Sequence, residues 1–181
     1  MTAEGRVLLE RRDRVALAPD GNGGIYRGLH TSGMIARMQE LGLALVHTYA
    51  VDNLISKVAD PTFLGFCLER GADVGSKVCA KSHAGEKVGV LCRRGGRYTV
   101  LEYSDMPEEV MRATDADTGA LRFSAGNICV HAYSIDFLTG PASPDRLPKE
   151  YHLAQKKIPI ADDETGETVP KSALTVNTGT K

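Results

Sequence analysis

The chain has 181 residues, 42% of them hydrophobic and 25% charged, with a formal net charge of -1 at pH 7. That is the length of one domain and the composition of a globular protein, which sets aside a disordered chain. The near-neutral balance lacks the basic footprint of a nucleic-acid binder. No apolar run approaches the ~20 residues that span a bilayer, and the N-terminus has no apolar signal-peptide region. Neither nucleic acid nor a membrane is therefore an expected partner.

In chain order, Arg6–Leu9 and Val15–Ala18 flank the charged turn Glu10–Arg14 and read as a hairpin. The stretch Ala18-Pro19-Asp20-Gly21-Asn22-Gly23-Gly24 then turns the chain into a helix. Ile25, Leu29, Ile35 and Met38 fall on one face of that helix, and Gly42 ends it. Leu43–Val51 is a near-continuous apolar run, the pattern of an interior strand in a parallel sheet, so strand, helix and strand predict a βαβ unit. Asp60-Pro61 is a cap followed by a first-turn proline, with Phe63, Leu64, Phe66 and Cys67 on the buried side and Gly71 as the stop. Strands are predicted over 74–80, 88–93 and 98–103, the last two joined by Gly95-Gly96. A short helix over 107–112, a polar loop over 115–119, a loop Ser124–Asn127 and a strand Ile128–Tyr133 follow. Residues 140–148 read as a surface run rich in Pro and Gly, 162–167 as an acidic loop, and the remainder as a mobile tail.

Four cysteines, Cys67, Cys79, Cys92 and Cys129, are widely spaced and form no C-x-x-C pair. They read as small buried hydrophobes in a reducing compartment, which points to the cytoplasm. The five histidines have no metal-ligand spacing, and no nucleophile motif of the Gly-x-Ser-x-Gly kind is present.

The glycine-rich turn has two readings. As turn chemistry, Asn22-Gly23 is a strong turn dipeptide and Asp20 can cap the helix. As a ligand cradle, Gly21 lets a flat ring approach the backbone, and Asn22 offers both a donor and an acceptor. Asp52, just past the apolar run, is either a strand-end turn residue or a carboxylate for a ribose hydroxyl or a Mg²⁺ ion. Both stretches follow predicted strands, where open α/β sheets bind their ligands.

The string Pro19-Asp20-Gly21-Asn22-Gly23-Gly24-Ile25-Tyr26-Arg27-Gly28-Leu29 resembles the nucleotide-sugar signature of the eukaryotic UDP-N-acetylhexosamine pyrophosphorylases. Val51-Asp52-Asn53-Leu54, Lys57-Val58-Ala59-Asp60-Pro61, Gly71-Ala72-Asp73, Val88-Gly89-Val90, Glu102-Tyr103-Ser104, Ala125-Gly126-Asn127-Ile128 and Ala154-Gln155-Lys156-Lys157-Ile158-Pro159 resemble further blocks of that family, in family order. The resemblance implies an α/β fold: a three-layer, Rossmann-like nucleotidyltransferase domain of the glycosyltransferase-A type, with a mixed, mainly parallel sheet. It covers residues 1–160 as the central part of the catalytic domain, with 161–181 as a tail. The family's triphosphate loop, Leu-x-x-Gly-x-Gly-Thr-Arg, has no counterpart in these residues, so the domain is expected to be incomplete at both ends.

What the resemblance implies for the site is specific. Gly21, Asn22 and Asp52 would contact the nucleotide, and Asn22, Gly89, Glu102 and Asn127 the sugar. Read alone, Glu102 would be a solvent-facing strand residue and Lys156-Lys157 a solvated charge pair. The family assigns these lysines to phosphate, and Lys181 ends a faint match to a phosphate clamp. Asp52 is the candidate Mg²⁺ ligand. The implied reaction joins UTP and N-acetylglucosamine 1-phosphate into UDP-N-acetylglucosamine and pyrophosphate. The alternatives are N-acetylgalactosamine or glucose specificity, or a catalytically incomplete nucleotide-sugar binder.

Overall fold

The computed structural model describes residues 5–17, 21–147, 159–162 and 164–169. Two compact units emerge, residues 1–37 with 139–181, and residues 38–138.

In the first unit, β1 (Leu9–Arg11) and β2 (Arg14–Val15) form the expected antiparallel hairpin, shorter than predicted, with Ala16 N–H reaching Leu8 O at 2.9 Å. The helix expected to run unbroken to Gly42 is instead two: α1 (Gly24–Thr31) and α2 (Met34–Glu40). The reason lies in Thr31-Ser32-Gly33. Thr31 and Ser32 hydroxyls fold back onto the carbonyls of Arg27 and Leu29, and Gly33 takes a left-handed φ of 72° that closes the first helix. Gly42, at φ 66°, does end α2, with Leu43 N–H on Met38 O. The residues expected to form a tail begin inside a small hairpin, β8 (Ile160–Ala161) with β9 (Thr168–Val169). Asp162 Oδ1 accepts the Glu164 and Thr165 N–H groups in its turn. Ala142, in the predicted surface run, is fully buried.

The second unit carries β3 (Leu45–Thr48), α3 (Pro61–Glu69), β4 (Val74–Ala80), β5 (Val90–Arg94), β6 (Arg97–Leu101), α4 (Glu108–Met111), β7 (Ala125–Ser134) and all but the last residue of α5 (Ile135–Thr139). Its five-stranded sheet is built on β7. β4 lines one edge of that strand from Val74↔Tyr133 to Ala80↔Ala125. The other edge is shared: β5 pairs at Val90↔Gly126, and β3 at Thr48↔His131 through Leu45↔Ser134. β6 lies outside β5, joined by the Gly95-Gly96 turn with both glycines at positive φ, as the sequence predicts.

Every ladder among the described residues is antiparallel, which corrects the mainly parallel sheet and the βαβ unit. β2 and β3 belong to different sheets. The apolar run reads as an interior strand because its neighbour, β7, lies eighty residues further on and is invisible to local pattern. The α/β class itself stands. α3 starts as predicted, Asp60 Oδ1 accepting from Thr62 N–H, and packs Cys67 and Phe63 onto β4 at Gly75, where a Cβ would collide with Cys67 Sγ. Phe66, expected inward, is exposed, and of the four free cysteines only Cys67 is buried.

β7 contains an irregularity. Its register against β4 slips by two residues between Lys77↔Val130 and Val78↔Asn127, so Ile128 and Cys129 face no β4 partner. A two-residue slip preserves side-chain parity, and Gly126, Val130 and Ala132 stay buried. Cys129 adopts φ 55°, a conformation that costs a non-glycine residue roughly 1–2 kcal/mol.

Gly126 is the tightest point of this strand. A Cβ there would sit 2.9 Å from the Cys79 carbonyl oxygen and 3.3 Å from Val88 Cγ1. Gly126→Ala should therefore lower stability by roughly 1–3 kcal/mol, read as a lower urea midpoint with unchanged m-value. An unchanged midpoint would mean the strand yields freely.

Candidate functional site

Three of the residues assigned to the sugar come together. Gly89 precedes β5, and its carbonyl accepts the Asn127 backbone N–H at 2.8 Å. Glu102 follows β6, not within the strand as predicted, and is half-buried. A Cβ on Gly89 would lie 3.2 Å from Glu102 Oε1 and 3.0 Å from Val100 Cγ1, so the carboxylate sits directly over the Gly89 backbone. Asn127, expected in a loop, is in β7 at the irregularity. Its Oδ1 accepts the Cys129 N–H at 3.1 Å and its Nδ2 donates to Cys129 Sγ at 3.9 Å, which fixes the amide orientation; the amide carries a second N–H that a ligand could take.

Asp52 belongs to the same unit. It lies exposed in the turn after β3, where Asn53 N–H bonds to Ala50 O. The register explains its relation to the other three. β3 runs along β7 towards Asn127 and stops pairing at His131, while β5 begins its pairing at Gly126. The Asp52 turn and Gly89 thus both leave the β7 edge at the stretch 127–130, where that edge changes partner.

The loop carrying Asp52 is anchored at its far end by groups that sequence reasoning passed over. Ala59, at φ 50°, donates its N–H to His47 Nδ1 at 3.2 Å. The next residue, Asp60, pairs with Lys77, whose ammonium also lies 5.0 Å from the Phe63 ring centroid. His47 touches Phe63 edge-on and Tyr49 at a tilt. Burial, reinforced by the Lys77 charge, holds its imidazole below the ordinary value, with Asp60 pulling weakly the other way. The Lys77 hydrogen bond keeps the Asp60 carboxyl low in turn. Asp60-Pro61, read as a helix cap and as part of the block Lys57–Pro61, was the sequence signal nearest to this cluster.

The glycine-rich turn lies in the first unit. Gly21 adopts φ 77°, Gly24 N–H bonds to its carbonyl, and Ile25 N–H bonds to that of Asn22. Both Gly21 and Asn22 are exposed, and the helix cap is Gly23 without a side-chain bond. Pro19 and Asp20, and the phosphate candidates Lys156, Lys157 and Lys181, lie outside the described residues. Among the described residues no three His, Cys, Asp or Glu side chains group to hold a metal, at Asp52 or elsewhere. A single carboxylate fits an ion that takes its other ligands from phosphate and water. An open cleft of about 460 Å³, lined by Leu43, Ala44, Cys67, Leu68, Ser134 and Asp136 among others, contains none of the expected site residues. No helix among the described residues is long and apolar enough to cross a membrane.

Comparison with known proteins converges on one group. The family model described as UTP–glucose-1-phosphate uridylyltransferase matches residues 1–179. The chain is 43% identical over 169 residues to a UDP-N-acetylhexosamine pyrophosphorylase-like protein 1 of Xenopus tropicalis, covering 93% of the chain and 33% of that protein. It is 41% identical over 167 residues to a UDP-N-acetylglucosamine diphosphorylase 1 of Arabidopsis thaliana, covering 91% and 33%. The crystal structure of the uridine diphosphate N-acetylglucosamine pyrophosphorylase from Trypanosoma brucei, in complex with inhibitor, superposes with a TM-score of 0.79 at 31% identity, covering 97% and 33%. The chain thus spans about a third of the length of the curated relatives it matches.

The histidines set a pH dependence. His131, pushed down by burial and bonded through Nδ1 to Ser76 Oγ at 2.9 Å, joins His47 in preferring the neutral form when folded. The unfolded chain then binds more protons, so stability is complete above about pH 6.5 and declines as pH falls through the folded values. The shifted carboxylates, Asp60, Glu86, Asp115 and Asp162, act only further down, because their values are lowered from an already acidic range. Urea midpoints should drop as pH falls from about 6.5 to about 5, and His47→Asn with His131→Asn should flatten that slope. A slope unchanged in the double variant would remove the histidines from the account.

Proposed function

Because the chain belongs to the UTP–glucose-1-phosphate uridylyltransferase family, we propose that it carries the uridine and sugar side of a site making UDP-N-acetylglucosamine and pyrophosphate from UTP and N-acetylglucosamine 1-phosphate. One observation supports this most: Gly89, Glu102 and Asn127 meet where the β7 edge passes from β5 to β3. That trio offers a carboxylate acceptor, an amide donor and a side-chain-free backbone, the set that a sugar with hydroxyls and an acetamido group requires. The names of the relatives that are 41% and 43% identical favour an N-acetylated sugar over glucose.

In this reading Gly21 and Asn22 meet the uracil side, and Asn22 also the sugar. Asp52 accepts from a ribose hydroxyl or holds Mg²⁺, which would neutralise phosphate charge. Lys156, Lys157 and Lys181 address phosphate. A sugar-phosphate oxygen attacks the α-phosphorus of UTP in line, the new P–O bond forming as the bond to the β-phosphate oxygen breaks and pyrophosphate leaves. The protein's share is positioning and electrostatic stabilisation, and no side chain forms a covalent bond to substrate. Free cysteines support a reducing compartment, and we assign the cytoplasm.

Calorimetry with UDP-N-acetylglucosamine, UDP-glucose and UDP tests the reading. UDP-N-acetylglucosamine should bind tightest. Glu102→Ala should weaken it by roughly 10–100-fold, the worth of a charged hydrogen bond of ~1.5–3 kcal/mol, and leave UDP unaffected. Equal affinity for all three ligands in the wild-type chain would contradict it.

A further inference from the structure

Lys81 is the one charged residue that is buried among the described residues, at 8% exposure. A buried ammonium is costly unless hydrogen-bonded, and an apolar side chain of similar length would fill the same space without that cost. Its Nζ donates to the Ala84 carbonyl at 2.9 Å, inside the loop that joins β4 to β5. That loop is folded on itself: Ser82 N–H and Oγ both donate to Glu86 Oε2, at 2.7 and 3.0 Å, Glu86 N–H reaches His83 O, and Val88 N–H reaches Glu86 O. It delivers Val88 against Gly126 and Gly89 beneath Glu102. The backbone N–H of Lys81 is bonded to Ser124 O at 2.9 Å, just ahead of Asn127. One residue therefore holds both segments that meet in the Gly89–Asn127 hydrogen bond.

We infer that Lys81 is a positioning residue for the sugar contacts: its ammonium holds the loop over 82–88, which sets Gly89 under Glu102 and in register with Asn127. The inference rests on the sugar-side reading of those three residues. It separates two roles that share one segment. Glu102 and Asn127 touch the ligand, whereas Lys81 acts through backbone it fixes. Loss of the ammonium alone, with its aliphatic stem kept, should loosen this corner and leave the remainder of the sheet intact. It should also spare the nucleotide contacts, which depend on other segments.

The test compares Lys81→Met, which keeps the stem and removes the donor, with Lys81→Arg, which keeps a cationic donor. Amide exchange is read at Asn127, and at Ser134, whose N–H bonds to Asp73 O in the same unit. Lys81→Met should speed Asn127 exchange about tenfold or more and leave Ser134 within about twofold, as local opening requires. It should reduce the preference for UDP-N-acetylglucosamine over UDP about tenfold with UDP affinity unchanged, and Lys81→Arg should retain most of both properties. Unchanged Asn127 exchange in Lys81→Met, or equal loss of UDP and UDP-N-acetylglucosamine, would overturn the inference. Should Lys81→Met fail to fold, Lys81→Arg decides: retained Asn127 protection and sugar preference support it, and loss of either overturns it. If the wild-type chain binds UDP-N-acetylglucosamine no better than UDP, the functional reading fails, and the exchange comparison still decides the role of Lys81.

Discussion

The hydrogen bond from Asn127 N–H to Gly89 O, 2.8 Å long, is the constraint on which the candidate site depends. It holds the entry to β5 against β7 at the place where β7 stops pairing regularly with β4 and has not yet met β3. Around it lie three features that cost stability: a two-residue slip, a cysteine in a left-handed conformation, and glycines at 89 and 126, where a Cβ would be crowded at the first and would collide with backbone at the second. Strain gathered beside a donor, an acceptor and bare backbone is how proteins hold a ligand site in shape. The Asn127 side chain is tied to this strain, because its Oδ1 accepts the N–H of the left-handed Cys129 and its Nδ2 donates to that residue's Sγ.

The Asp52 loop is controlled separately. Its exit is pinned by Ala59 on His47 and by Asp60 on Lys77, and its apolar residues Val51, Leu54 and Ile55 are almost fully exposed. A loop fixed at its ends and bare along its length presents Asp52 without burying it. The price is a dependence on neutral His47, since a protonated Nδ1 cannot accept the Ala59 N–H.

Much of this was legible in the residues themselves. Asp60-Pro61 names a helix start, Gly95-Gly96 a hairpin, and Gly42 and Gly71 helix ends, because each rests on local backbone chemistry. The order of blocks from Pro19 to Pro159 points to the family through resemblance. What local pattern could not supply was strand pairing. β3 reads as parallel because nothing near it reveals that its partner is β7, and Asn127 reads as a loop residue because Gly126-Asn127 suggests a turn when it in fact marks an irregular strand. Lys81 and His47 were missed for the same reason. A lysine or histidine at the end of a strand gives no sign of which carbonyl or N–H awaits it across the fold.

The central claim, that Gly89, Glu102 and Asn127 form the sugar side of a nucleotide-sugar site, is tested most directly by amide chemical shifts. Spectra of the chain with UDP and with UDP-N-acetylglucosamine are compared residue by residue. The difference between the two ligands should be concentrated at Gly89, Glu102 and Asn127, with a further one at Asn22, whereas Gly21 and Asp52 should respond already to UDP. A difference map that leaves those three amides unmoved, or that centres on the cleft beside Leu43 and Cys67, would contradict it.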